Sequence, residues 1–161
     1  MIEWILLFTR DLALVVWLGG LIVIDFVETP AKFRTPEINR NQAVAVGREV
    51  FAAFNRIEVI VGALLLAISL LLARWAGAAP FGLPSPIVTV GLMWFVALAQ
   101  NFWIRPRMSA LSRSLDLVNR TAEDTRYGEL RGLHIAYVGL DISKIGLGLV
   151  TLALWTINSV R

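Results

Sequence analysis

Cysteine is absent from this 161-residue chain, and histidine occurs once, at His134. With no cysteine there is no disulfide framework, no thiolate nucleophile and no cysteine-ligated metal. One histidine cannot form a bis-histidine haem or a histidine-rich metal centre within one chain. The three methionines, Met1, Met93 and Met108, are dispersed, which speaks against the clustered soft sulfur ligation that copper(I) favours. Charge is scarce as well: 17% of residues are Asp, Glu, Lys or Arg, against about 25% in soluble domains. Phosphate-binding glycine loops, HExxH and nucleophile-elbow motifs are all missing, as is any repeat of fixed period. The start MIEWILLFTRDLALVVW has neither a basic stretch before its apolar run nor a small-residue cleavage site after it. It is therefore expected to persist as a span.

What the chain does have is apolar length. It is 57% hydrophobic with a mean hydropathy of +0.70, a balance that places it in a bilayer. A crossing helix needs roughly 20 mostly apolar residues, and four windows qualify, at residues 5–27, 57–75, 87–104 and 133–157. The connection between the second and third is short and carries Gly77, Pro80, Gly82, Pro84 and Pro86, the composition of a tight loop. The other two connections are long and polar, with helix-compatible stretches at residues 38–54 and 108–129. The expected fold is all-α: an integral membrane, antiparallel four-helix bundle with cytoplasmic helical extensions, forming one domain over residues 1–161.

The pI near 10 does not point to nucleic acid, because the formal charge is only +3 and the basic residues flank apolar runs. Lys32, Arg34, Arg40, Arg48 and Arg56 lie in the first long connection, and Arg105, Arg107, Arg113, Arg120, Arg126 and Arg131 in the second. Only Arg10, Arg74 and Arg161 mark the other side. The positive-inside rule puts the long connections in the cytoplasm and both termini outside, here with the bacterial inner membrane as the expected location. The basic residues are read as topology determinants.

Ionisable groups within a span are costly, and they mark a protein interior or a polar cavity. In the last span His134, Tyr137, Asp141 and Lys144 follow each other at helical spacing on one face. Counted from Arg131, Asp141 lies roughly 15 Å deep and Lys144 roughly 20 Å; counted from Arg34, Asp25 lies roughly 13 Å deep and Glu28 roughly 9 Å. Lys144 leans back toward the helix N-terminus, so it is expected to pair with Asp25, Asp141 or both. Asn55, Arg56 and Glu58 at the start of the second span and Gln100 and Asn101 near the end of the third contribute at shallower depth. The candidate ligand, ion or ion-pair site is thus Asp25, Glu28, Glu58, His134, Tyr137, Asp141 and Lys144, with Asn55, Gln100 and Asn101 in support. The metal, if any, is unidentified, with His134 and Glu58 as candidate ligands. The alternative is a purely structural ion pair that fixes helix register. The tryptophans, Trp17 among them, are read as packing or interface anchors. The glycine–alanine ladder of Gly128, Gly132 and Ala136, with Gly139, Gly146, Gly148 and Gly19–Gly20, predicts close helix approach.

The first span and its exit, VWLGGLIVIDFVETPAKFR, resemble the opening of the copper-resistance protein D (CopD-like) superfamily, as do FWIRPRM and LHIAYVGLDISKIGLGL at the third-span exit and in the fourth span. Within that superfamily, which also holds the HemJ-type protoporphyrinogen oxidases, the chain is most similar to an uncharacterised four-span family curated as a domain of unknown function. The resemblance implies the four-span fold. HemJ-type proteins carry a first-span histidine implicated in haem binding; this first span has none, so haem held there is excluded and other cofactors are left open.

Three functions follow as expectations. The first is a small transport-related or ligand-, ion- or proton-binding membrane protein with a polar site open toward the cytoplasm and sealed outside. The second is an accessory subunit of a larger respiratory or photosynthetic membrane complex, and the third, less favoured, is a haem-linked oxidoreductase. The expected partners are membrane lipid and a homo-oligomer or larger membrane complex, with no nucleic acid.

Overall fold

The computed structural model describes residues 1–77, 85–119 and 124–159. Among these the secondary structure is all helical. Helix α1 (Ile2–Val23) runs through a π-helical turn at Ile24–Glu28 into α2 (Thr29–Arg34). Helix α3 is Arg40–Trp75. Helix α4 (Pro86–Ala99) runs through a second π turn, Gln100–Ile104, into α5 (Arg105–Ser114). Helix α6 is Arg126–Ser159. Four continuous helical segments, Ile2–Arg34, Arg40–Trp75, Pro86–Ser114 and Arg126–Ile157, are long and apolar enough to cross a membrane. The chain is an integral membrane protein.

Each segment begins and ends for a local reason. At the start of α3, Asn39 accepts from the Gln42 backbone N–H at 3.0 Å while the Gln42 side chain accepts from the Asn39 N–H at 2.8 Å, a reciprocal cap that satisfies two donors left free by the helix. The same helix stops at Gly77, whose φ of +64° suits a residue without a Cβ. Ser85 caps α4, and Pro86 occupies its first turn, where the missing N–H costs nothing. The loop expected around Pro80, Gly82 and Pro84 lies outside the described residues. All four segments exceed the predicted windows. At about 1.5 Å per residue, α3, with 36 residues, is far longer than a hydrocarbon core of about 30 Å; of the stretch expected at 38–54 it takes in residues 40–54, with Asn39 as its cap. The stretch at 108–129 is not continuous helix: α5 ends at Ser114, Leu115 is extended, and α6 starts only at Arg126.

Helix α4 packs against both α3 and α6, and α1 against α3 with a smaller contact to α6. Leu14, Trp17, Leu18 and Leu21 meet Leu65, Val90, Met93 and Ala97 in a core buried between the helices. Lipid is as apolar as this core, so van der Waals fit and interhelical hydrogen bonds, not removal from water, hold the helices together. Fit is tightest where a glycine faces an aromatic or branched side chain: Gly62 against Trp94 and Trp17, Gly20 against Phe54, and Gly148 against Leu18. The expected ladder behaves otherwise. Gly128, Gly132 and Ala136 face outward with Gly19, Gly139 and Gly146, and a Cβ built on any of these glycines would meet nothing within 4 Å.

Candidate functional site

Both π turns end two residues before a proline, at Pro30 and Pro106. Proline lacks an N–H and crowds the carbonyl four residues earlier, and a widened turn relieves that crowding. The two turns share a local pattern, Asp25-Phe26 before Pro30 and Asn101-Phe102 before Pro106. Each also carries a polar side chain at membrane depth: Asp25 in the first and Gln100 in the second.

Lys144 is the centre of a buried network that draws on all four membrane segments. Its ammonium, wholly buried, donates to Glu58 Oε1 of α3 and pairs with Asp141 Oδ1 at 2.8 Å. Trp17 of α1 donates its indole N–H to the same Glu58 oxygen at 2.7 Å. Gln100 donates to Asp141 Oδ1 at 2.9 Å and to the Tyr137 carbonyl at 3.1 Å. The Tyr137 hydroxyl donates to Asn55 Oδ1 at 2.6 Å. Asp25 lies against Asp141, its Oδ2 buried and without a hydrogen-bond partner. Glu58 Oε2, Gln100 Oε1 and Asn55 Nδ2 are likewise buried and unpartnered.

Toward the end that carries the long connections, the network opens under a cavity of about 600 Å³. Tyr137 belongs to both, and Phe51 packs edge-on against its ring at 5.5 Å. Lys32 of α2, Arg40 and Arg48 of α3, Arg105 of α5 and Arg131 of α6 line the wall, and among the described residues no carboxylate does. Lys32 is paired with Glu28 at 2.8 Å, and a Cβ at Gly47 would lie 2.7 Å from its Nζ, so the glycine leaves that ammonium its seat. Arg48 donates to Ser112 Oγ at 3.3 Å, while its Nε is buried and unpartnered. In the opposite direction Leu14, Leu18, Leu65 and Val90 close the bundle.

The predicted residues divide accordingly. Asp25, Glu58, Tyr137, Asp141, Lys144, Asn55 and Gln100 come together. Lys144 pairs with Asp141 as expected but takes Glu58, not Asp25, as its second carboxylate. Glu58 was placed too shallow: it bonds Trp17, eight residues or about 12 Å along the helix from Asp25, because α3 starts long before residue 57. Glu28 is bound to Lys32, which lines the cavity, and stays outside the network. His134 lines the cavity, and the Asn101 side chain has no hydrogen-bond partner among the described residues. Among the described residues no group of three His, Cys, Asp or Glu side chains is disposed to hold a metal ion. Trp17 and Arg48 were missed, the first because nothing in its spacing separates a donor from a packing tryptophan. Arg48 and the other cavity cations carried a signal, basic residues interleaved with Phe33 and Phe51, that was read as topology alone.

Fold and site together define a small polytopic membrane protein with a buried carboxylate–lysine network. The family described as domain of unknown function DUF4149 matches residues 12–115, and the chain belongs to that family. No curated protein and no solved structure matches the chain.

Proposed function

We propose that the protein binds and exchanges a proton at the network of Asp25, Glu58, Asp141 and Lys144, reached from the basic end, as the coupling core of a small ligand-binding or transport-related membrane protein. One observation carries this reading: two carboxyls pair with one buried ammonium while a third, Asp25, lies against Asp141, and carboxylate oxygens of Asp25 and Glu58 are buried without a partner. Like charges at close range in a low dielectric cannot all stay ionised, so the surplus must be met by a proton or a cation. No second cation forms an ion pair in the network among the described residues. Much of the network lies in the segments that resemble the CopD-like superfamily: the first holds Trp17 and Asp25, and LHIAYVGLDISKIGLGL holds Tyr137, Asp141 and Lys144.

The test is pH-difference infrared spectroscopy of the protein in lipid nanodiscs. A protonated-carboxyl band that titrates through the neutral range and shrinks in Asp25→Asn or Glu58→Gln is expected. A spectrum without such a band at any pH in that range would overturn the reading. A second reading, an accessory subunit of a larger membrane assembly, is favoured by the outward small-residue face of α6, which no described helix of this chain covers. Co-purification with larger subunits at fixed stoichiometry in mild detergent would establish it.

A further inference from the structure

The basic cavity has chemistry of its own that proton exchange does not use. Its volume of about 600 Å³ lies in the range of small-molecule sites, about 300–1,000 Å³. Four of its guanidinium groups, those of Arg40, Arg48, Arg105 and Arg131, form no ion pair with a carboxylate among the described residues. Acidic side chains are not absent nearby, but Glu129 is bound to Arg107 and Asp124 to Arg126, so these two carboxylates are occupied elsewhere. Guanidinium groups that converge on a shared space without a counter-charge are arranged for an oxyanion, which they bind through paired N–H donors. The buried, unpartnered Nε of Arg48 is one such donor already turned away from water.

The rest of the lining is not suited to a bare anion. Phe33, Phe51, Met108, Leu117 and Leu130 give the same cavity an apolar wall, and it lies at the end of the crossing helices that carries the long, basic connections. Basic pockets between helices at that level hold anionic lipid headgroups. We propose that this cavity binds an anionic amphiphile, with a phosphate or carboxylate head held by Arg48, Arg105 and Arg131 and an apolar chain laid along Phe33, Phe51 and Leu130. This site is distinct from the carboxylate–lysine network, and its occupancy does not require that network to titrate.

The experiment uses the full chain in a neutral maltoside detergent, titrated with dodecyl phosphate and with inorganic phosphate, and separately in nanodiscs containing phosphatidylglycerol or phosphatidylcholine. Native mass spectrometry and thermal stability are the readouts. Saturable retention of one dodecyl phosphate, or of phosphatidylglycerol over phosphatidylcholine, is expected, and which of the two is retained separates a single-chain ligand from a bilayer lipid. Arg131→Gln, at an exposed position, should keep the fold and weaken retention about tenfold, the worth of one charge-assisted contact; Arg105→Gln should act alike. Inorganic phosphate binding as tightly as dodecyl phosphate would show that the apolar wall is unused and overturn the proposal. So would equal retention of neutral and anionic lipids, or affinity unchanged in both variants.

Discussion

The network and the cavity share Tyr137 and are electrostatic opposites. One gathers three carboxyls near a single ammonium, two of them paired with it, with Trp17, Gln100 and Asn55 fixing the geometry; the other sets five cations around open space with no carboxylate among the described residues of its wall. The difference follows from depth. Inside the bundle a charge without a partner from the chain is costly, so the chain itself supplies the partner. At the membrane boundary, water and ligands can meet a charge, and arginines can be left without protein partners. Changes to the network should therefore act on stability first, and changes to the cavity on binding first.

The sharpest way to break this contrast is Lys144→Met. It leaves Glu58 and Asp141 facing each other without their cation, and loss of one partner of a buried pair costs about 3–5 kcal/mol. Thermal unfolding in detergent should register that loss, with partial recovery as pH falls and the orphaned carboxylates take up protons. Adding Glu58→Gln and Asp141→Asn to the same variant should restore most of the stability, since a neutral set needs no counter-charge. A Lys144→Met protein as stable as the parent would remove the premise of the comparison.

One substitution made twice gives a smaller contrast. In Gly62→Ala the new methyl meets Trp94 and Trp17, rigid rings on two other helices, and crowding of this kind costs about 1–3 kcal/mol. In Gly47→Ala it meets only the tip of Lys32, at 2.7 Å, which can swing away, while alanine gains roughly 0.5–1 kcal/mol over glycine in a helix. Net stability should stay within about 1 kcal/mol of the parent. Dodecyl phosphate retention should change instead, because Lys32 leaves its place beside Glu28 and Phe51. Thermal melts and native mass spectra of the two variants, side by side, check this.

The sequence shows these regions unequally. Four spans are legible because each apolar run exceeds what a soluble helix carries, and the Asp141–Lys144 pair is legible because both residues lie on one helix at a spacing of three. Glu58 as the second partner is not. Its depth depends on where α3 enters the membrane, and an amphipathic helix that starts at Arg40 gives no hydropathy step to mark that point. The π turns escape for a related reason: Pro30 and Pro106 announce a disturbance, but whether a helix breaks or widens there is decided by the neighbours it packs on. The cavity is hidden because its cations come from four separate helices and share no spacing in the chain.

The mildest perturbation concerns the cavity rim. Asp116 lies outside the crossing segments and accepts from the Asn41 and Asn119 side chains, both at 2.8 Å, and from the Val118 and Asn119 backbone N–H groups. These bonds favour its charged form and bring its pKa down from 3.8 to about 2. A carboxyl depressed in this way contributes stability that is complete above its unfolded value and is lost as pH falls through the folded one. The Asp116 contribution should therefore fade between about pH 4 and pH 2. Asn41 also accepts from the Leu117 N–H at 2.7 Å, and Leu117 lines the cavity, so the same bonds hold one wall in place. Amide exchange at residues 117–119 should accelerate across that window while the amides around Lys144 stay protected. In Asp116→Asn the exchange should already be fast at neutral pH and lose this pH dependence. Equal acceleration at both places would mean that rim and network respond as one unit.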